Sequence, residues 1–217
     1  MFADEPHYSR GLTCGWSRRA ETALSIARRV RAMARELVEI DPRLDALWPQ
    51  FAMRPIRPTD PGPVLELSDE ELGDLIDRRA RFDTPAFPAP VDPWGYLVAL
   101  GGTPTSALRE YRALVKAGRL QDAPLYNEVQ LNIDRDHAIW RDLSTAKAVL
   151  GVLVRNWAAE WGYAAGRPGG GACGDTFGRP LMIWSATKGT PAPRTFLDIG
   201  PPSEVRDYLG GELQVWP

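Results

Sequence analysis

Histidine, cysteine and lysine are all scarce in this chain. There are two histidines and two cysteines, and of the 26 basic residues only Lys116, Lys147 and Lys188 are lysines. Two cysteines, Cys14 and Cys173, do not make a disulfide framework. They read as reduced thiols, and neither has the sequence context of a catalytic nucleophile. With only His7 and His137 available, zinc-type ligation and acid–base chemistry near neutral pH are both restricted. The acidic residues show no calcium-loop spacing. No run approaches the ~18 apolar residues of a membrane-spanning helix. Asp4 and Glu5 stand where a secretory signal would carry basic residues, and no apolar segment follows them. A net charge of -2 lacks the basic footprint of a general nucleic-acid binder. These absences predict a cytoplasmic protein with no metal, no cofactor, no nucleic-acid partner and no membrane partner.

The rest of the composition is globular. Of 217 residues, 44% are hydrophobic and 25% charged, close to the averages of folded domains, so a sizeable core is expected. The 20 prolines predict long irregular connections, because proline fixes φ and lacks an amide donor. The 8 tryptophans suit a large aromatic core or a contact surface.

Periodicity supplies the elements. Residues 7–16 show weak alternation and predict a first strand. Residues 17–40 predict a helix capped by Ser17, with Leu24, Ala27, Val30, Ala34, Leu37 and Val38 on one face. Asp41-Pro42 stops it, since a residue before proline avoids the α region. Leu44, Leu47 and Trp48 then fold back over the core. After a proline-rich excursion at 49–63, Val64 to Leu67 read as a short strand. Ser68 with Glu71 forms a capping box for a second helix, ending near Phe82, with acids at its start and arginines at its end.

A second proline-rich loop at 84–93 leads to a strand from Trp94 to Leu100, with Gly101-Gly102 as its turn. Residues 107–115 fit strand or helix equally. Residues 127–133 alternate Val129, Leu131 and Ile133, the pattern of a half-buried strand. From Ser144 to Trp161 runs an apolar helical stripe that includes Trp157 and Trp161. A glycine-rich loop and short strands at 181–184 and 214–216 finish the chain. This order predicts one α+β domain over residues 1–217, a single mixed or mainly antiparallel sheet with helices packed on it.

Few residues carry legible chemistry. Asp134, Asp136 and His137 form an acidic–histidine cluster of the kind that orients a general base or holds a divalent ion, and the same residues make an ordinary solvated turn. Gly169 to Gly171 lack the Lys-Ser/Thr ending of a phosphate loop and lead towards a strand. The densest charge is on the second helix, at Asp69, Glu70, Glu71, Asp74 and Asp77. It is a candidate surface for a basic partner, or simply a soluble helix with well-placed end charges. Trp94 and Trp140 flank strands or turns and are candidate anchors at an interface.

Several landmarks bear a family resemblance. Trp16 ends a strand and leads into a helix with Arg19 and Glu21. Ile40-Asp41-Pro42, Leu44 and Trp48 follow, then Gly95-Tyr96 in a strand, NEVQL at 127–131, a helix with Trp157 and a strand ending at Trp184. This pattern resembles the immunity proteins of bacterial polymorphic toxin systems, in particular immunity protein family fifty-two. Residues 103–126 and 169–171 depart from it. The resemblance implies an antitoxin-like protein that neutralises a cognate toxin domain, encoded by a neighbouring gene, by stoichiometric contact and without catalysis. Asp69, Asp74, Asp77, Trp94 and Trp140 are then the candidate partner-binding residues. The alternative is a small hydrolase-type enzyme with a site around Asp134, Asp136 and His137. Neither the toxin nor the oligomeric state is specified by the sequence.

Overall fold

Strict alternation along residues 127–133 produces a strand buried at every second position, Asn127, Val129, Leu131 and Ile133. The computed structural model describes residues 10–44, 47–49, 61–79, 95–101, 111–118, 127–133, 142–166, 180–188 and 200–216. Among these, nine strands form one sheet: β1 Arg10–Trp16, β2 Trp48–Pro49, β3 Tyr96–Gly101, β4 Tyr111–Ala117, β5 Asn127–Ile133, β6 Trp161–Gly166, β7 Pro180–Ser185, β8 Glu204–Tyr208 and β9 Gly211–Val215. Their order is β2-β3-β4-β5-β1-β6-β7-β9-β8, and every pairing is antiparallel. The first strand in sequence is therefore central in space. It joins a meander on one side, β2 to β5, to a second group ending in the β8–β9 hairpin on the other.

Among the described residues three α-helices accompany the sheet: α1 Ala23–Ile40, α2 Asp69–Arg79 and α3 Leu143–Trp157. They cover one face. Leu12, Cys14 and Trp16 of β1 are buried in the same cluster as Ile26, Val30, Met33 and Leu37 of α1 and Val149, Leu150, Leu153 and Trp157 of α3. At its centre Trp16 and Trp157 stack, ring centroids 5.1 Å apart and 15° from parallel, and the Trp157 Nε1–H donates to Met33 Sδ at 3.4 Å. Leu44 and Leu47 fold back onto this core, and Leu72 and Ile76 bring α2 into it.

The architecture is the expected α+β one, with boundaries moved by tertiary contacts. The cap of α1 is Thr22, whose Oγ1 accepts from Ser25 N at 3.1 Å. Ser17 is held elsewhere: its hydroxyl and amide both donate to Glu160 Oε1, at 2.5 and 3.1 Å. The chain between them is not helical. Asp41 ends α1 as expected, its amide reaching Leu37 O at 2.9 Å. The capping box of α2 is formed in both directions, with Glu71 N–H donating to Ser68 Oγ (3.1 Å) and Ser68 N–H to Glu71 Oε2 (2.8 Å).

Three further sequence expectations need correction, and one left open is decided. Residues 64–67 form a turn rather than a strand, anchored by Val64 N–H to Leu47 O at 2.8 Å. Gly101 lies within β3, opposite Arg112. The ambiguous 107–115 segment contains strand, β4 beginning at Tyr111. Finally, α3 stops at Trp157, where Ala158 turns left-handed (φ 44°) and its amide bonds back to Arg155 and Val154 carbonyls. Trp161 opens β6 instead of extending the helix. The apolar i, i+4 spacing from Trp157 to Trp161 mimics one more turn, but Trp161 pairs across the sheet with Gly15 and Ser185.

At the other end of α3, Asp142 accepts from Ser144 N (2.9 Å), Ser144 Oγ (2.7 Å) and Thr145 Oγ1 (2.6 Å). These bonds, Thr145's first, lower its pKa to about 2. A carboxyl whose folded pKa lies below its unfolded value stabilises the fold above the unfolded value, and that contribution is lost as pH falls through the folded one. The melting-temperature gap between wild type and Asp142→Ala should therefore be widest above about pH 4 and close towards pH 2. A gap independent of pH over that window would count against this role.

Candidate functional site

The acidic helix is well formed but largely spoken for. Asp69 is bound by Arg31 of α1 and lies 3.4 Å from Arg28 Nε. The Arg31 hydrogen bond, reinforced by both positive charges, holds its carboxyl below the ordinary range. Asp77 Oδ1 accepts from the Tyr96 hydroxyl at 3.3 Å. Asp74 and Asp77 are both exposed, Asp74 with a side chain 75% accessible and 3.7 Å from Arg78 one turn on. The three aspartates thus share a helix but not a role: Asp69 clamps α2 to α1, and Asp74 faces solvent. Trp94 and Trp140 lie outside the described residues, as do Asp134, Asp136, His137, His7, Cys173 and the glycine loop at 169–171. Cys14 is completely buried and desolvation drives its thiol pKa far upward, so it is no nucleophile.

A second charged cluster sits between α1 and the end of α3. Glu21, its side chain 2% exposed, lies 3.2 Å from both Arg19 Nη2 and Arg29 Nε. The same arginines donate to the last carbonyls of α3, Arg19 to Trp157 O at 2.9 Å and Arg29 to Asn156 O at 2.7 Å. Burial, then the charge of Arg19, lowers the Arg29 pKa. Beside it Glu36 accepts from Arg155 (2.7 Å) and Asn156 (2.8 Å). Partial burial pushes the Glu36 pKa up, but these bonds outweigh it and the net shift is downward. This cluster is architectural. Cations placed at a helix C-terminus satisfy open carbonyls and the negative end of the dipole, and Glu21 neutralises them.

The face of the sheet away from the helices is different in kind. Along β1 it presents Gly11, Thr13 and Gly15, so the central strand is almost bare. Trp161 of β6 fills the gap: a Cβ on Gly15 would come 2.1 Å from its ring. Trp161 stacks on Tyr163 (centroids 6.1 Å apart, planes 9° from parallel), and Tyr163, Ala165, Ile183 and Trp216 form a small buried cluster separate from the main core, with Trp161 at its half-buried edge. Next to this aromatic patch, across β1, run Glu128, Gln130 and Asn132 of β5 in register with Gly15, Thr13 and Gly11. Lys116 pairs with Glu128, whose Oε1 also accepts from Gln130 Nε2 at 3.0 Å. All of these polar side chains are half-buried.

This surface offers a rigid aromatic anchor beside an ordered row of amides and charges. It is a composition suited to contact with another protein, where aromatic anchors in a polar setting carry much of the energy. Sequence reading missed it because Trp161 continued the helical stripe. The signal was present in WGYA at 161–164, where large and small residues alternate with a period of two.

Among the described residues no group of three or more His, Cys, Asp or Glu side chains is arranged to hold a metal ion, and no helix is long and apolar enough to cross a membrane. No protein-family model matches the chain, and no curated protein matches it.

Proposed function

We propose that this chain is an antitoxin-like immunity protein, acting in the cytoplasm by binding and occluding a cognate toxin domain one to one. The observation that carries the reading is the face of the sheet turned away from the described helices, with Trp161 set over the backbone of Gly15 and flanked by the Gln130, Glu128 and Lys116 row. A pre-ordered surface of this kind loses little side-chain freedom on binding. The landmark pattern from Trp16 to Trp184 points to the same class. Asp74 and Asp77, both exposed on α2, lie on the other side of the sheet and remain candidate contacts separate from this face. Trp94 and Trp140 remain candidate anchors on sequence grounds.

The test is co-expression with the toxin domain encoded next to this gene, with binding rates measured on the purified pair. Wild type should rescue growth and form a 1:1 complex. Trp161→Ala should speed dissociation by roughly 30-fold, equivalent to ~2 kcal/mol. Asp74→Asn should instead slow association at low salt, with the difference shrinking as salt is added. A wild-type protein that neither binds that domain nor rescues cells would end this reading.

A further inference from the structure

Among the described residues the sheet ends at β8, which has a neighbour on one side only, β9. Its residues Glu204 to Asp207 are all exposed, with Val205 at 53% among the most accessible large apolar side chains described. The hairpin turn fixes which amides point outward. Leu209 and Gly210 both have positive φ, 49° and 76°, the mark of a two-residue type I′ turn, in which the flanking Tyr208 and Gly211 exchange hydrogen bonds. Antiparallel ladders alternate, so Arg206 bonds to Leu213 and Glu204 to Val215, their partners in register. The N–H and C=O groups of Val205 and Asp207 then face away from the sheet. Ser203 turns its N–H back to Val215 O at 2.8 Å, which closes the free edge at that end.

We propose that this edge pairs with the same edge of a second copy of the chain, antiparallel about a twofold axis at Val205, making one continuous sheet across a homodimer. Three symmetric registers bring outward amides together. Centred on Asp207, which Lys188 of the same chain already binds at 2.6 Å, the register sets Arg206 opposite Tyr208 and makes no opposite-charge pair across the axis. Centred on Arg206, it sets arginine against arginine at the closest cross-strand spacing. Centred on Val205, it sets Glu204 of each copy opposite Arg206 of the other, twice, and joins the two valines across the axis on the side turned away from the described helices. Like charges directly opposite are destabilising and opposite charges stabilising, so the sequence EVRDY selects the last register. Within one chain Arg206 Nη1 already lies 3.1 Å from Glu204 Oε1, and pairing turns this contact into a closed ring of four charges. Charges on an edge strand ordinarily oppose association, whereas these are complementary in one register. The inference is independent of the immunity reading, since it concerns an edge and not the face turned away from the described helices.

The experiment is sedimentation equilibrium of the purified full chain from about 1 to a few hundred micromolar, at low and high salt. Reversible dimerisation weakened by salt is expected. Val205→Pro deletes an outward N–H while leaving the β9 ladder intact, and should raise the dissociation constant roughly tenfold or more, as should Arg206→Glu. The double exchange Glu204→Arg, Arg206→Glu should restore the homodimer yet fail to mix with wild type, because Glu then meets Glu and Arg meets Arg. If Val205→Pro disturbs the near-UV circular dichroism, Arg206→Glu and the double exchange decide the question. A wild-type chain monomeric throughout, a dimer indifferent to Arg206→Glu, or free mixing of wild type with the double exchange would each overturn the proposal.

Discussion

Replacing Trp157 with alanine should lower the unfolding free energy by about 4 kcal/mol. The ring is completely buried. It stacks on Trp16 at 5.1 Å and donates to Met33 at 3.4 Å, so its removal takes from α3 its contact with one residue of β1 and one of α1. The cavity is walled by the central strand and two helices and collapses poorly, which places the cost in the upper range for such truncations. Against a total stability of about 5–15 kcal/mol this is a large fraction. Trp157→Phe keeps an aromatic face against Trp16 and should lose about half as much. Urea unfolding followed by far-ultraviolet circular dichroism measures both. Trp16 emission should move to longer wavelength in the alanine variant as its covered face meets water. A loss below about 1 kcal/mol would show that the stacked pair is not central to the core.

The second large effect is expected from a single methyl group. A Cβ on Gly211 would sit 2.2 Å from Ser185 O and 3.0 Å from the Trp184 ring. The obstacle is backbone, so no rotamer change relieves it, and β9 must move away from β7. That shift disturbs buried Leu213 and the bond from Trp184 Nε1 to Tyr208 O, 2.8 Å long. Gly211→Ala should cost about 3 kcal/mol, the upper range for overpacking. The neighbouring glycine is the control. Gly210 has φ of 76° but nothing within 4 Å of its added Cβ, so alanine there pays only for left-handed backbone, about 1 kcal/mol. Thermal unfolding of the two variants should separate them clearly. Equal losses would mean that the close approach of β7 and β9 is not what requires glycine at 211. Amide exchange in Gly211→Ala should accelerate first in β7 to β9.

Much of the fold was legible because its signals are local. The Ser68–Glu71 capping box, the Asp41-Pro42 stop and the alternation of residues 127–133 each span a few residues, and each produced the element expected. The strand β8 was missed for a physical reason. Its residues are exposed on both faces, from Glu204 through Asp207, so burial imposes no alternation on them. What identifies it is its pairing with β9 and the turn between them. The candidate site was less legible. The acidic run at Asp69 to Asp77 is visible in sequence, whereas the arginines that occupy Asp69 come from 38 and 41 residues earlier in the chain, at Arg31 and Arg28.

By itself, then, the sequence determined the class of fold, the caps and stops of its helices and the apolar stripes that form its core, because nearest-neighbour sterics, capping and periodic burial act over one or two turns of chain. Only the tertiary structure decided that β1 is the central strand, that α3 ends at Trp157, and that Trp161 crosses to the opposite face to lie over Gly15. It alone also decided that Ser17 serves Glu160 and not α1. The place of β1, the seat of Trp161 and the partner of Ser17 each rest on a contact between residues more than a hundred positions apart, whose free energy exists only once the chain has brought them together. No local periodicity encodes such a contact, and at residue 161 the local pattern favoured the wrong element until sheet pairing overrode it.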